Sequence, residues 1–378
     1  MIPYKSMKFI FQRFGQIGII LGGFLFFFAC ASAPSHIAKR EVMISDPAYI
    51  PSGEIRILTI NVWSGLTYKG FFKMGRHPDD LQGRYELLVP EIRKLGPDII
   101  AIQEANPFPR YAKRLAADLD YQVIYRVALG GIRFGPFGIP TNMREGGAIL
   151  VKKPWTIEDL GKKRLGGKGI VTNGFCFHLG ETTQASLGKA VVEGKSLYIY
   201  NVHLHSSPFH GPALNASLEQ LAREMREEKV EEAKKEMERG IKRRRKEIAN
   251  LMKFIEETLP PGMPAIVLGD FNTTFESGEL TPFVIEGKWI DSFKIKNPKE
   301  EGVTWDPQNN PNFRRIESGP NPYDILAHYH DTHPFRIDFI LVNNNIPRDH
   351  IMESQVVLTP KGGLCPSDHY GVLTTLKW

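Results

Sequence analysis

Six short polar signatures in this 378-residue chain each end or open an apolar run. Asn61 ends Ile-Leu-Thr-Ile-Asn, Glu104 ends Ile-Ile-Ala-Ile-Gln-Glu, and His203 ends Leu-Tyr-Ile-Tyr-Asn-Val-His. Asp270 and Asn272 follow Ile-Val-Leu-Gly, Asp338 stands in Arg-Ile-Asp-Phe-Ile-Leu-Val, and Asp368-His369 sits in Pro-Ser-Asp-His-Tyr-Gly. Acids, amides and two imidazoles can assemble a site for a hard divalent cation with acid–base groups beside it. Hydrolysis of a phosphate ester needs such a set: charge neutralisation at the phosphoryl oxygens, a base for water and an acid for the leaving oxygen.

The residue types assign some roles. A carboxylate at the end of a buried strand is costly unless a cation offsets its charge, which makes Glu104 the first metal ligand to consider. Asn61 alone reads equally well as an amide capping a turn. Asp270 and Asn272 are two apart, so in an extended segment they project to one side with Phe271 toward the core; an Asx-turn is the structural alternative. An imidazole acting as base needs a carboxylate on its other nitrogen to fix the tautomer, and His369 is the candidate. Oxygen and amide donors select Mg²⁺, with Mn²⁺ as a substitute.

In their order the motifs resemble the endonuclease/exonuclease/phosphatase superfamily, which includes pancreatic-type deoxyribonuclease, abasic-site endonucleases, neutral sphingomyelinases and inositol-polyphosphate phosphatases. The resemblance runs from Glu54 to Trp378. It implies Glu104 as metal ligand with Asn61 and Asp368 nearby, and Asp270 and Asn272 as holders of the attacking water and a phosphoryl oxygen. It also implies Asp338 as the partner of His369, and His203 as the group that protonates the leaving oxygen or binds the transition-state phosphate. Carried over from the deoxyribonuclease branch, Glu145 in Arg-Glu-Gly-Gly-Ala-Ile-Leu-Val would orient His203.

Two segments lean toward a lipid phosphodiesterase. Gly167-Lys168-Gly169-Ile170-Val171 and Asn201-Val202-His203-Leu204-His205 are similar to segments of neutral sphingomyelinases. Ser206-Ser207-Pro208 is closer to the nucleases, although Asn106 replaces the Arg which that branch places after its metal Glu. A phospholipid or sphingomyelin-type head group is therefore the first expectation for substrate and nucleic acid the second. A binding protein that has lost catalysis is the alternative of another class.

The elements that must position these residues are short Ile-, Val- and Leu-rich runs bounded by Gly and Pro, which read as buried strands. Helical spacing over Arg84 to Leu95 and Tyr111 to Leu119 lies between them. Alternating strands and helices predict an α/β fold: a four-layer sandwich of two mixed sheets packed face to face and flanked by helices. Leu129 to Asn142, rich in Gly and aromatic residues, reads as a rim loop. From Ser217 to Leu259 an amphipathic, highly charged stretch predicts one long helix or a hairpin broken at Gly240. Its first part, near 217–240, reads as an insertion that projects, and the basic run Lys242 to Lys246 reads as a solvated, ion-paired face. His205, His210, His328, His330 and His333 read as surface residues in loops, with zinc at the last three a minority reading.

Lys5, Lys8 and Arg13 precede the apolar stretch Ile17 to Ala29, the layout of an export signal over residues 1–31. Phe27-Phe28-Ala29-Cys30 resembles a loose lipobox, so Cys30 is a candidate lipid carrier; free secretion and an uncleaved anchor compete. Residues 32–53 read as a tether and 54–378 as one hydrolase domain. An exported protein of the bacterial envelope, attached to membrane through its N-terminus and monomeric, is the expectation. A formal charge of +6 permits anionic partners without selecting among them. Cys176 and Cys365 can pair in an oxidising compartment or remain two buried thiols.

Overall fold

The structure is a computed structural model that describes residues 53–68, 74–76, 81–284, 288–313, 319 and 321–378. The expected export signal, with Cys30, and the expected tether up to residue 52 lie outside the described residues. Among the described residues, no helix is long and apolar enough to cross a membrane.

Two six-stranded mixed sheets form the frame. The first runs in the order Ile351–Val357, Gly371–Lys377, Glu54–Asn61, Ile99–Ala105, Glu145–Lys152, Tyr121–Leu129. The second runs Trp289–Asp291, Asp338–Asn343, Ala265–Asp270, Lys195–His203, Thr183–Val192, Thr156–Gly166. At the centre of each lies one parallel pair, Glu54–Asn61 with Ile99–Ala105 and Lys195–His203 with Ala265–Asp270. Parallel neighbours need a crossover, and each pair has a helical one: Leu81–Leu95 in the first half, Pro212–Glu224 and Glu227–Thr258 in the second.

Residue parity builds the layers. Ile55, Ile57, Ile99, Ala101, Ile149 and Val151 of the first sheet meet Leu197, Ile199, Ile266, Leu268, Ile340 and Val342 of the second in a shared core. Residues of the opposite parity, such as Leu58, Ile60 and Ile100, pack under the helices Leu81–Leu95 and Arg110–Leu119. Tyr200, Val267 and Phe339 do the same under Glu227–Thr258. Both faces of the central strands are buried, which is why they read as nearly continuous apolar runs. The four-layer α/β sandwich predicted from sequence is the architecture observed.

Three local expectations change. The break in the charged helical stretch falls at Met225–Arg226, and Gly240 lies inside the 32-residue helix Glu227–Thr258. A Cβ on Gly240 would sit 2.1 Å from Ser207 Oγ, so glycine there lets the helix press against the loop after His203. The region near 217–240 does not project bare: Val230, Ala233, Met237 and Ile241 pack with Leu214, Leu221 and Leu326. Within Leu129 to Asn142 two strands, Ile132–Phe134 and Phe137–Ile139, join Ile170–Val171 and Phe175–Phe177 in a small four-stranded sheet.

Candidate active site

The same parity that fills the inter-sheet core places the polar residues. Asn61 continues the series Ile55, Ile57; His203 continues Leu197, Ile199; Asp270 continues Ile266, Leu268. Glu145 and Asp338 open antiparallel neighbours whose inward series are Ile149, Val151 and Ile340, Val342. Parallel strands end where antiparallel neighbours begin, as in the register Asp270↔Asp338, so these side chains meet at one rim of the inter-sheet layer. Glu104 has the wrong parity. A register shift between Ile102 and Ala105 and a backbone φ of 55° at Glu104 turn it to the inter-sheet side.

Asn61 sits between the two sheets and is fully buried. Its Nδ2 donates to Glu104 Oε1 at 3.1 Å and to Asp270 Oδ2 at 3.0 Å, while its Oδ1 accepts from the backbone N–H of Trp63. His203 Nε2 lies 3.6 Å from Glu104 Oε1 and 3.7 Å from Asp270 Oδ2. His369 places Nδ1 2.9 Å from Asp338 Oδ2 and Nε2 3.8 Å from Asp270 Oδ2, with its ring edge-on to Trp305. Asp368 is buried next to it and accepts from Ser367 Oγ, which also bonds the carbonyl of Asn61.

Asn272 arrives by a different route from the one its spacing predicts. The strand stops at Asp270, Asn272 has φ 52°, and its N–H donates to Asp270 Oδ1 at 2.8 Å. This is the Asx-turn, and the extended-segment argument does not apply. Its Nδ2 is spent on the carbonyl of Leu204 at 2.9 Å. Phe271 points into the core among Phe283 and Phe339, as its position predicts. Glu145 is buried at the same rim near Ser64, Glu104 and His203.

Charge at the rim is unbalanced. Glu104, Glu145, Asp270, Asp338 and Asp368 face two imidazoles, so three negative charges remain if all the acids are ionised and both rings protonated. Burial, with Glu104 nearby, pushes Glu145 up to about 8 and Asp368 up to about 6. Burial likewise raises Asp270. Burial opposes protonation of His203 and His369, but the surrounding carboxylates outweigh it and raise both rings. Asp338 Oδ1 is buried with no hydrogen-bond partner. A buried cluster of acids, with donor atoms of Glu104, His203 and Asp270 all within 4.8 Å of one another, fits a divalent cation. A second such group is Asp270, Asp338 and His369.

Several residues position the site without a signal that spacing reveals. Gln103 Nε2 donates to Asn201 Oδ1 at 2.8 Å, tying the sheets together one layer beneath the rim. Both are amides inside apolar runs, and that break in pattern is the clue that could have found them. Thr304 Oγ1 accepts the N–H groups of Ile337 and Asp338, and Asn310 and Asn312 hold the carbonyls of Cys365, Ser367 and Asp368. Arg244, in the basic run expected to be solvated, is fully buried: it forks onto Glu279 at 3.0 and 2.7 Å and donates to the carbonyls of His205 and Ser207.

Of the remaining histidines, His210 is exposed as expected and others differ. His205 is buried with Nδ1 2.6 Å from Glu181 Oε2. His330 is buried between Phe209 and Phe335, and His328 and His330 lie on the helix Pro322–Asp331 rather than in a loop. His328 stacks on Phe313 and His333 Nδ1 faces the carbonyls of Tyr329 and His330. Among the described residues these three form no metal-binding group. Cys176 and Cys365 are both free and buried.

Residues 58–369 match the family described as the Endonuclease/Exonuclease/phosphatase family. Among solved structures, humanized D. rerio TDP2 superposes with a TM-score of 0.53 at 16% identity, covering 86% of this chain and 100% of that one. An endonuclease/exonuclease/phosphatase from Bacteroides vulgatus gives 0.53 at 18%, over 85% and 98% of the two chains. D. rerio TDP2 complexed with a single-strand DNA product gives 0.50 at 16%, over 85% and 98%. At these identities the likeness is one of fold. No curated protein matches the chain.

Proposed function

The chain belongs to the endonuclease/exonuclease/phosphatase family, and from that premise we propose that it is an exported, divalent-metal-dependent phosphodiesterase acting on phospholipid or sphingomyelin-type head groups. The observation that carries the catalytic part is the meeting at one rim of Asn61, Glu104, His203, Asp270 and Asp338, from strands of both sheets, with His369 from the loop before Gly371–Lys377. Mg²⁺, or Mn²⁺ in its place, held by Glu104 with Asn61, Asp368 and Asp270 beside it, would neutralise the phosphoryl oxygens and the crowded acids.

The chain's own groups do the rest. Asp338 accepts the Nδ1 hydrogen of His369 and aims Nε2 to the Asp270 side, where the ring in its neutral form, favoured as pH rises through its raised pKa, would take a proton from water. Burial opposes a proton on His203, but Asp270, Glu104 and Glu145 outweigh it and raise the ring above its ordinary pKa, which suits it to donation to the leaving oxygen. Glu145 stands close enough to support that charge, although the direct contacts of His203 are to Glu104 and Asp270. Asn272 fixes the Asp270 carboxylate through its backbone N–H.

The lipid reading is supported by the Lys168-Gly169 and His203-Leu204-His205 segments and by the apolar rim described below. Nucleic acid is the second reading, favoured by the likeness to a TDP2 that carries a single-strand DNA product. Hydrolysis by the exported domain of sphingomyelin, phosphatidylcholine, plasmid DNA and inositol phosphates with Mg²⁺ separates them: choline-lipid turnover above DNA turnover is expected, and the reverse order would replace this substrate. Export through residues 1–31, with Cys30 as lipid carrier, belongs to the same proposal. Cys30→Ser should alter processing, and unchanged membrane association with an intact N-terminus would indicate an anchor.

A further inference from the structure

The small four-stranded sheet carries an outward face that is wholly apolar. Its pairings put Ile170, Phe177, Ile132 and Ile139 in one row and Phe175, Phe134 and Phe137 in the next. Alternation sends all seven side chains to the same side, while Arg133, Gly138, Cys176 and Val171 turn toward the body. The seven are 38–80% exposed, with Phe134 at 77% and Phe137 at 80%. Buried apolar residues are the rule for alternating strands, so an inverted face of this kind marks a contact surface.

The plate is held firmly. His178 Nε2 accepts the N–H groups of Gly130 and Gly131 at 2.9 Å each, and its Nδ1 donates to the carbonyl of Gly180. Asn173 clamps the plate to the strand Tyr121–Leu129 through Val127 N–H and the carbonyl of Tyr125. That strand ends at Leu129, the register partner of Glu145, and Ala128 and Leu129 line the cleft with Glu104 and His203. The apolar face therefore springs from the catalytic rim.

We propose that this face docks the enzyme on a phospholipid bilayer and presents the cleft to the membrane surface. Its border fits that partner. The segments 130–144 and 167–180 contain no acidic residue, and the cations exposed at the edge are Arg164 and Lys168, while Arg133 is buried on backbone carbonyls. Apolar side chains reach the acyl boundary while cations meet head-group phosphates. A second copy is a poor occupant, because seven residues fall well short of the roughly 20–30 a side of a stable interface. Stacking on single-stranded nucleic acid is a poor one too, because three of the seven are Ile, which offers bases no ring. The inference deepens the lipid reading above, and its readout is independent of turnover.

The test uses the full chain carrying Phe134→Trp, whose new indole reports on the plate alone even if the N-terminus binds lipid. The five native tryptophans are buried or half-buried and give a constant background. Vesicles of phosphatidylcholine with phosphatidylglycerol, made with brominated or ordinary acyl chains, should quench this indole only when brominated. Adding Phe137→Ser and Phe175→Ser should raise the lipid needed for half-quenching by more than about tenfold. Hydrolysis of a soluble phosphodiester, bis-p-nitrophenyl phosphate, should be unchanged by these surface substitutions, which also certifies that they fold. Phe177→Trp provides a second, independent reporter. Vesicle-bound chain with no bromine quenching at either position would overturn the proposal. So would an indole shift driven by protein concentration, indicating a second copy, or by single-stranded DNA alone. Loss of hydrolysis with quenching intact would instead count against the catalytic reading.

Discussion

His369 can take a proton only if its ring is held in one tautomer, and the 2.9 Å contact from Nδ1 to Asp338 Oδ2 does that. In the proposed mechanism the two residues act in one step, so their losses should not add. His369→Ala should lower turnover by about 10²–10⁴-fold, the usual contribution of a general base. Asp338→Asn should lose a large part of that, and the double variant almost nothing more. Steady-state rates of the three variants decide it, and multiplicative losses would separate the pair. Four of the residues were legible in type and aim: Asn61, His203, Asp270 and Asp338 each sit at the end or start of an apolar run whose parity already points into the inter-sheet layer. Glu104 was legible as an acid but not in its aim, because the register shift and positive φ that turn it depend on a partner strand far along the chain. Thr304, Asn310 and Asn312 carried no signal, since their work is to hold backbone carbonyls and amides of segments distant in sequence.

At the level of elements, the misread glycine offers a sign test. Ala is a better helix former than Gly by about 1 kcal/mol, so Gly240→Ala on an open helix face would stabilise the protein. Here the new methyl meets Ser207 Oγ at 2.1 Å, and overpacking of this kind costs about 1–3 kcal/mol. Urea unfolding should show net destabilisation; a gain in stability would mean that the helix does not press on that loop. Spacing alone could not reveal this, because glycine as helix breaker and glycine as close-packing residue look alike in sequence. The four-stranded plate was missed for a related reason: Ile-Arg-Phe-Gly-Pro-Phe-Gly-Ile is too short to show a period, and its apolar parity faces outward. The plate also has a pH dependence. Burial lowers the pKa of His178 below its ordinary 6.5, against the carbonyl of Gly180, which raises it. The neutral ring accepts two N–H bonds, so its stabilisation is complete above pH 6.5 and is lost as pH falls through the lower folded pKa. Hydrogen exchange at Gly130 and Gly131, corrected for intrinsic rates, should accelerate as the medium is acidified across that window; protection that does not change down to pH 4 would contradict the assignment.

The whole molecule divides the site between two similar halves. Each sheet contributes one central parallel pair, and neither makes a catalytic set alone: Asn61 and Glu104 come from the first, His203, Asp270 and Asp338 from the second. Asn61 bridges them by bonding a carboxylate of each. The crowding of five acids at that bridge is what a divalent cation would relieve, so the central claim is metal-dependent phosphodiester hydrolysis at this rim. The direct measurement is the rate of bis-p-nitrophenyl phosphate hydrolysis by the purified full chain, in excess chelator and after Mg²⁺ or Mn²⁺ is restored, for the wild type and Glu104→Gln. Hydrolysis should vanish in chelator, return with the metal in the wild type, and stay depressed in Glu104→Gln while circular dichroism shows an intact fold. Full activity in excess chelator, or a Glu104→Gln variant as active as the wild type, would contradict the account.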